Sequence, residues 1–126
     1  MEAGINLISK TGSVAQPASG ATVTLYNSTA NCGAVGRGAR IKKLILNLES
    51  SHDSAANGIA FSESDDGGTT WKTVYTRTYT QASDGRLKLV INSLGAPEIR
   101  VQYTNSANAL TTWRYSLLAD CYEQTI

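Results

Sequence analysis

The stretch EIRVQYT, residues 98–104, alternates without a break. Ile99, Val101 and Tyr103 fall on one side, and Arg100, Gln102 and Thr104 on the other. A repeat of two is the mark of a β-strand with one face buried, because successive side chains leave a strand in opposite directions. The same rhythm continues on both sides of it. GRLKLVIN, residues 85–92, sets Leu87 and Leu89 against Arg86 and Lys88. RIKKLILNLES, residues 40–50, groups Leu44, Leu46 and Leu48. TWRYSLLADCYE, residues 112–123, groups Trp113, Tyr115, Leu117, Ala119 and Cys121. WKTVYTRTYT, residues 71–80, is built from Val, Tyr and Thr, which suit a pleated surface.

Turn-forming clusters separate these runs: PASG, NSTANCGAVGRG, ESSHDSAANG, SDDGGTT, QASDG, SLGAP and TNSANALTT. Short strands between regular turn signals predict an all-β domain. Strands are expected near 4–9, 21–27, 39–49, 57–63, 71–80, 85–92, 98–105 and 112–122. ARIKKLILNLES comes nearest to an amphipathic helix, but a glycine-rich loop precedes it and every other element is β, so it is read as a strand. About eight antiparallel strands in one domain predict a single β-sandwich, jelly-roll-like or Ig-like. Residues 1–20 read as an N-terminal arm and tether, with INLISK apolar enough to pair and TGSVAQPASG as the link; residues 21–126 form the sandwich.

The chain has 126 residues, which suits one domain. Eleven Lys and Arg stand against ten Asp and Glu, giving a net charge of +1. That balance points away from a nucleic-acid partner, which selects a basic excess. No apolar run approaches the roughly 20 residues of a membrane-spanning helix. MEAGINLISK has neither the basic start nor the apolar stretch of a signal peptide. Cys32 and Cys121 are accordingly read as free thiols of a reducing compartment.

The most distinctive segment is SESDDGGTTWKTV, residues 62–74. Ser64, Asp66, Gly68, Thr70 and Trp71 make the pattern Ser-x-Asp-x-Gly-x-Thr-Trp, which resembles the Asp-box, a β-hairpin turn of sialidases and many other β proteins. Each residue type has a structural task. The Asp66 carboxylate accepts amide hydrogen bonds from its own turn, Gly68 takes a positive φ, and Trp71 packs where the next strand starts. Asp65 and Asp66 as a calcium site is the weaker reading, since calcium asks for six to eight oxygens. A sialidase propeller needs several such turns and a longer chain.

Other groupings carry no catalytic set. Ser51, His52 and Asp53 are neighbours in sequence, whereas a Ser-His-Asp triad is assembled in space. One histidine and two distant cysteines do not make a zinc site. CGAVGRGAR has the glycine order G-x-x-G-x-G outside any βαβ unit, which is no dinucleotide fingerprint. Arg37 and Arg40 with Lys42 and Lys43 form a small basic cluster, a solvated edge or a contact for an acidic surface. Tyr75 and Tyr79 are expected on one face of their strand, where aromatic rings suit a sugar or a protein. No enzyme activity and no cofactor is expected.

Taken together, the arm MEAGINLISKTG, the Thr/Ser/Asn/Gly-rich β domain and SESDDGGTTWKTV give a chain that resembles small virion proteins of tailed bacteriophages. The resemblance implies a capsid decoration or cement protein, made in the host cytoplasm and carried in the virion. It would bind the major capsid protein or other virion proteins and associate as a homo-oligomer, a trimer by preference. Ile5, Leu7 and Ile8 in the arm, with Arg37 and Arg40, are the expected partner-binding residues. The alternatives are a glycan-binding β-sandwich module and a small neck or tail component.

Overall fold

The computed structural model describes residues 5–11, 15–27, 40–92 and 98–122, with side chains over 15–27, 43–92 and 98–118. Eight strands are present among them: β1 (Ile5–Thr11), β2 (Thr22–Asn27), β3 (Arg40–Ser50), β4 (Ser54–Ser64), β5 (Lys72–Arg77), β6 (Arg86–Asn92), β7 (Glu98–Asn105) and β8 (Trp113–Tyr122). A single short helix, α1 (Gln81–Asp84), joins β5 to β6. The segment with mixed helix and strand character is β3, extended throughout.

The strands form two four-stranded sheets, β1-β8-β3-β6 and β2-β7-β4-β5, and every pair is antiparallel. First pairs with last, second with seventh, third with sixth and fourth with fifth. This is one long antiparallel ribbon wound into two layers, the jelly-roll arrangement. It differs from the Ig order, which places the first, second, fifth and fourth strands together.

Alternation fills the space between the layers. Leu44, Leu46, Leu48, Leu87, Leu89, Tyr115 and Leu117 project inward from the first sheet. Leu25, Tyr26, Ile59, Phe61, Ile99, Val101 and Tyr103 answer from the second. Trp113 is half-buried and lies 4.8 Å, ring centre to ring centre, from Tyr103, an aromatic contact between the layers.

The described parts of the expected arm and tether, residues 5–11 and 15–20, lie against the sandwich. Residues 5–11 pair in full with β8, from Ile5 opposite Tyr122 to Thr11 opposite Ser116. Residues 15–20 are held along the 105–110 loop. The Gln16 side chain donates to the Leu110 carbonyl, Ser19 Oγ to the Ala107 carbonyl at 2.6 Å and the Gly20 amide to the Ser106 carbonyl at 2.8 Å. Pro17 is buried. A strand whose own sheet offers an open edge satisfies its backbone groups there.

One correction concerns Tyr75 and Tyr79. β5 ends at Arg77, and its pairing with β4 slips between Phe61 and Ser62, so the simple alternation fails. Tyr75 remains 38% exposed, whereas Tyr79 is fully buried. The Tyr79 hydroxyl accepts the Ser50 amide at 3.2 Å and donates to the Gly85 carbonyl, while its backbone pairs with Ser54 in both directions. Tyr79 thus ties the β3–β4 corner to the end of α1. Tyr79→Phe removes this link and leaves the buried Ser50 amide without its acceptor, so it is expected to lower stability by about 1–3 kcal/mol. The shift of the urea unfolding midpoint at constant slope measures it; an unchanged midpoint refutes the role.

Candidate functional site

The turn between β4 and β5 was singled out from sequence, and its five residues converge. Ser64 Oγ donates to Asp66 Oδ1 at 2.7 Å and accepts the Gly68 amide at 3.0 Å. Asp66 Oδ1 also accepts the amides of Thr69 and Thr70, at 3.1 and 2.9 Å, and the Thr70 hydroxyl donates to Oδ2 at 2.5 Å. Gly67 and Gly68 both hold positive φ, +77° and +90°, a conformation that costs other residues a steric clash. Trp71 is half-buried, and the Arg100 guanidinium of β7 lies 4.4 Å from its ring centre.

Those bonds hold the Asp66 carboxyl well below the usual range, at about 2 instead of 3.8, with the Thr70 hydroxyl as the largest cause. Its acceptor sites are turned inward on the turn, which leaves it a fastener and not a general base. The folded pKa lies below the unfolded one, so the stabilisation is complete above pH 3.8 and is lost as pH falls toward 2. Wild-type stability is expected to drop across this window. Asp66→Asn, which cannot titrate, should flatten that drop while starting from a lower plateau. Thermal melts between pH 2 and pH 5 test this; parallel curves for the two proteins refute it.

The Ser-His-Asp neighbours do not form a relay. Ser51 Oγ lies 3.2 Å from His52 Nδ1 but accepts the Thr111 amide, and Asp53 accepts the Gln81 amide at the start of α1, at 2.8 Å. Asp84 of α1 is taken up by Arg77, at 2.8 Å, and by the Thr80 amide. Burial raises the Tyr103 hydroxyl above the ordinary tyrosine value, with Tyr79 and Asp53 adding to it. No group of three or more His, Cys, Asp or Glu side chains able to hold a metal ion is found among the described residues.

The residues expected to bind a partner are placed by register. Ile5, Leu7 and Ile8 stand opposite Tyr122, Asp120 and Ala119. Arg40 stands opposite the same Tyr122 from the β3 side, so Ile5 and Arg40 share one end of the sheet. Arg37 and Cys32 lie outside the described residues, and with them the reading of the two cysteines as free thiols.

Two surface features were not foreseen. The described large apolar side chains that stay exposed are Val74, Tyr75 and Val90, at 39%, 38% and 45%. All three sit on β5 and β6, the adjacent edges of the two sheets. Only residues 51–53 join β3 to β4, which stacks those strands across the core and opens β5 and β6 to the same side. The second feature is a basin of about 320 Å³ on the outside of the β1-β8-β3-β6 sheet, lined by Asn47, Glu49, Arg86, Arg114 and Ser116 among others. Alternation marks each of these residues as outward-facing, but only strand order shows that they meet.

Comparison with protein-family models, with curated proteins and with solved structures finds no match for this chain.

Proposed function

We propose that this chain is a non-enzymatic virion structural protein, a capsid decoration protein that works by binding assembled protein surfaces. The observation that carries the reading is the exposure of Val74 and Tyr75 on β5 and of Val90 on β6, the end strands of the two sheets. Exposed apolar side chains on edge strands are the kind of surface that a protein contact covers, with tyrosine favoured in such contacts. The jelly-roll wrapping supports the reading by analogy, since viral shells use it often, though lectins use it too. Stabilisation of a shell would then follow from mass action: a protein that binds the assembled form, and not the loose subunit, shifts the balance toward assembly.

The glycan-binding alternative loses the pairing of Tyr75 with Tyr79, because Tyr79 is buried and Tyr75 alone stays exposed. The hydroxyl-rich outer face of the other sheet is largely self-paired, with Thr22 on Thr104 at 2.7 Å and Ser62 on Thr73 at 3.3 Å.

The test is co-sedimentation of the purified protein with tailed-phage heads, at increasing protein concentration. Saturable binding is expected, and the triple variant Val74→Ser/Tyr75→Ser/Val90→Ser, confirmed folded by circular dichroism, should bind at least about tenfold more weakly. Failure to sediment with any head preparation, together with binding on a polysaccharide array, would reject the decoration role in favour of a glycan-binding module.

A further inference from the structure

Charge is unevenly distributed among the described side chains. On the outer face of the β1-β8-β3-β6 sheet, the described side chains carry four cations, Lys43, Arg86, Lys88 and Arg114, against Glu49 alone. All other described side chains together carry six acids, Asp53, Glu63, Asp65, Asp66, Asp84 and Glu98, against three cations, Lys72, Arg77 and Arg100.

The register orders the basic face in rows. Arg86, Glu49 and Arg114 lie side by side, then Lys88, Asn47 and Ser116, then Val90, Ile45 and Leu118. The first two rows frame the basin, and the third is an apolar strip next to it. Within the basin Glu49 answers only Arg86, at a loose 3.8 Å, and Arg114 has no carboxylate partner among the described residues.

The β4–β5 turn offers a matching projection. Asp66 is consumed inside the β4–β5 turn, but its neighbour Asp65 is exposed and makes no hydrogen bond or ion pair among the described residues. The turn that carries it is held rigid by the Ser64–Asp66–Thr70 bonds. A carboxylate on a preorganised turn loses little freedom on binding.

We infer that copies of this chain associate head to tail, with the Asp65 turn of one copy seated in the Arg86–Arg114 basin of the next. Complementary charges orient such a contact, and the apolar strip beside the basin supplies area that charge pairs alone do not. Different surfaces meet, so the contact is heterologous and closes into a ring or runs on as a chain of copies. The inference deepens the association part of the proposed function and rests on that part alone; the choice of shell partner can fail without it.

Sedimentation of the protein by itself, without phage heads, is the test. Wild type is expected above monomer mass at low salt and to fall toward monomer at high salt, where exposed charges are screened. Arg114→Ala and Asp65→Ala should each be monomeric at low salt, with unchanged circular dichroism. Mixed together they should form a pair and nothing larger, because the first keeps its turn and the second keeps its basin. A wild type that is monomeric at low salt overturns the inference. So does an oligomer that neither substitution disturbs, although that result leaves association through the β5–β6 side standing.

Discussion

The β3–β8 ladder is the pairing on which the rest of the molecule hangs. It joins residues 40–50 to residues 113–122 over ten matched positions, interrupted by one slip between Ile41 and Lys43. Among the described residues β1 has no neighbour but β8, and β6 has none but β3, so the described first sheet forms around this one contact. The ladder also lines up Leu44, Leu46 and Leu48 against the inward side chains of β8. A shift of one residue would turn all of them to solvent, so the core itself enforces the register. Its cost lies in sequence distance: more than sixty residues separate the partners. Such long-range pairing must close a large loop before it gains anything, which makes this a topology of slow folding.

That distance also explains what was legible in the sequence. Strand positions were readable because alternation is a local signal: Ile99, Val101 and Tyr103, or Leu87 and Leu89, announce their burial within a few residues. Strand order was not readable, because nothing near residue 5 says that residue 122 will lie beside it. The pairing partner of INLISK was out of reach for this reason. An apolar strand followed by small polar residues looks the same whether its partner is foreign or at the far end of its own chain. The start of β4 shows a different limit. SAANG has turn composition, yet it lies inside the strand as an irregularity between Ser54 and Ile59, with Asn57 at a φ of +54°. Gly58 is required there by close approach, since a side chain would meet the Thr104 carbonyl at 2.6 Å. A glycine in a strand announces such an approach without saying what approaches.

The candidate sites divide in the same way. The β4–β5 turn was legible residue by residue because all of its chemistry is local: a carboxylate, two hydroxyls and a glycine within seven positions bond to one another. Two acids side by side would otherwise suggest a metal or an acid–base pair. The geometry assigns them opposite roles, with Asp66 spent on its own backbone and Asp65 left outward. The basin, in contrast, is drawn from β3, β6 and β8, and needs the sheet to exist before it can be seen.

A jelly roll leaves four edge strands, here β1, β6, β2 and β5. Open edges invite uncontrolled pairing unless something blunts them. β5 is short, begins with Lys72 and slips register at Val74, so it presents a broken ladder to any incoming strand. β6 carries Arg86 and Lys88 at outward positions, which repel a second basic edge. β2 has its own irregularity between Thr24 and Tyr26 and pairs its Thr22 hydroxyl across to Thr104. Edges guarded in this way favour recognition through side chains over recognition through backbone addition. A surface read by side chains can be specific in both partner and geometry, because charge rows and apolar strips match only one docking pose, whereas a bare edge accepts almost any strand. The self-association by face and turn proposed above is compatible with this distribution of charge and with the guarded edges of β2, β5 and β6.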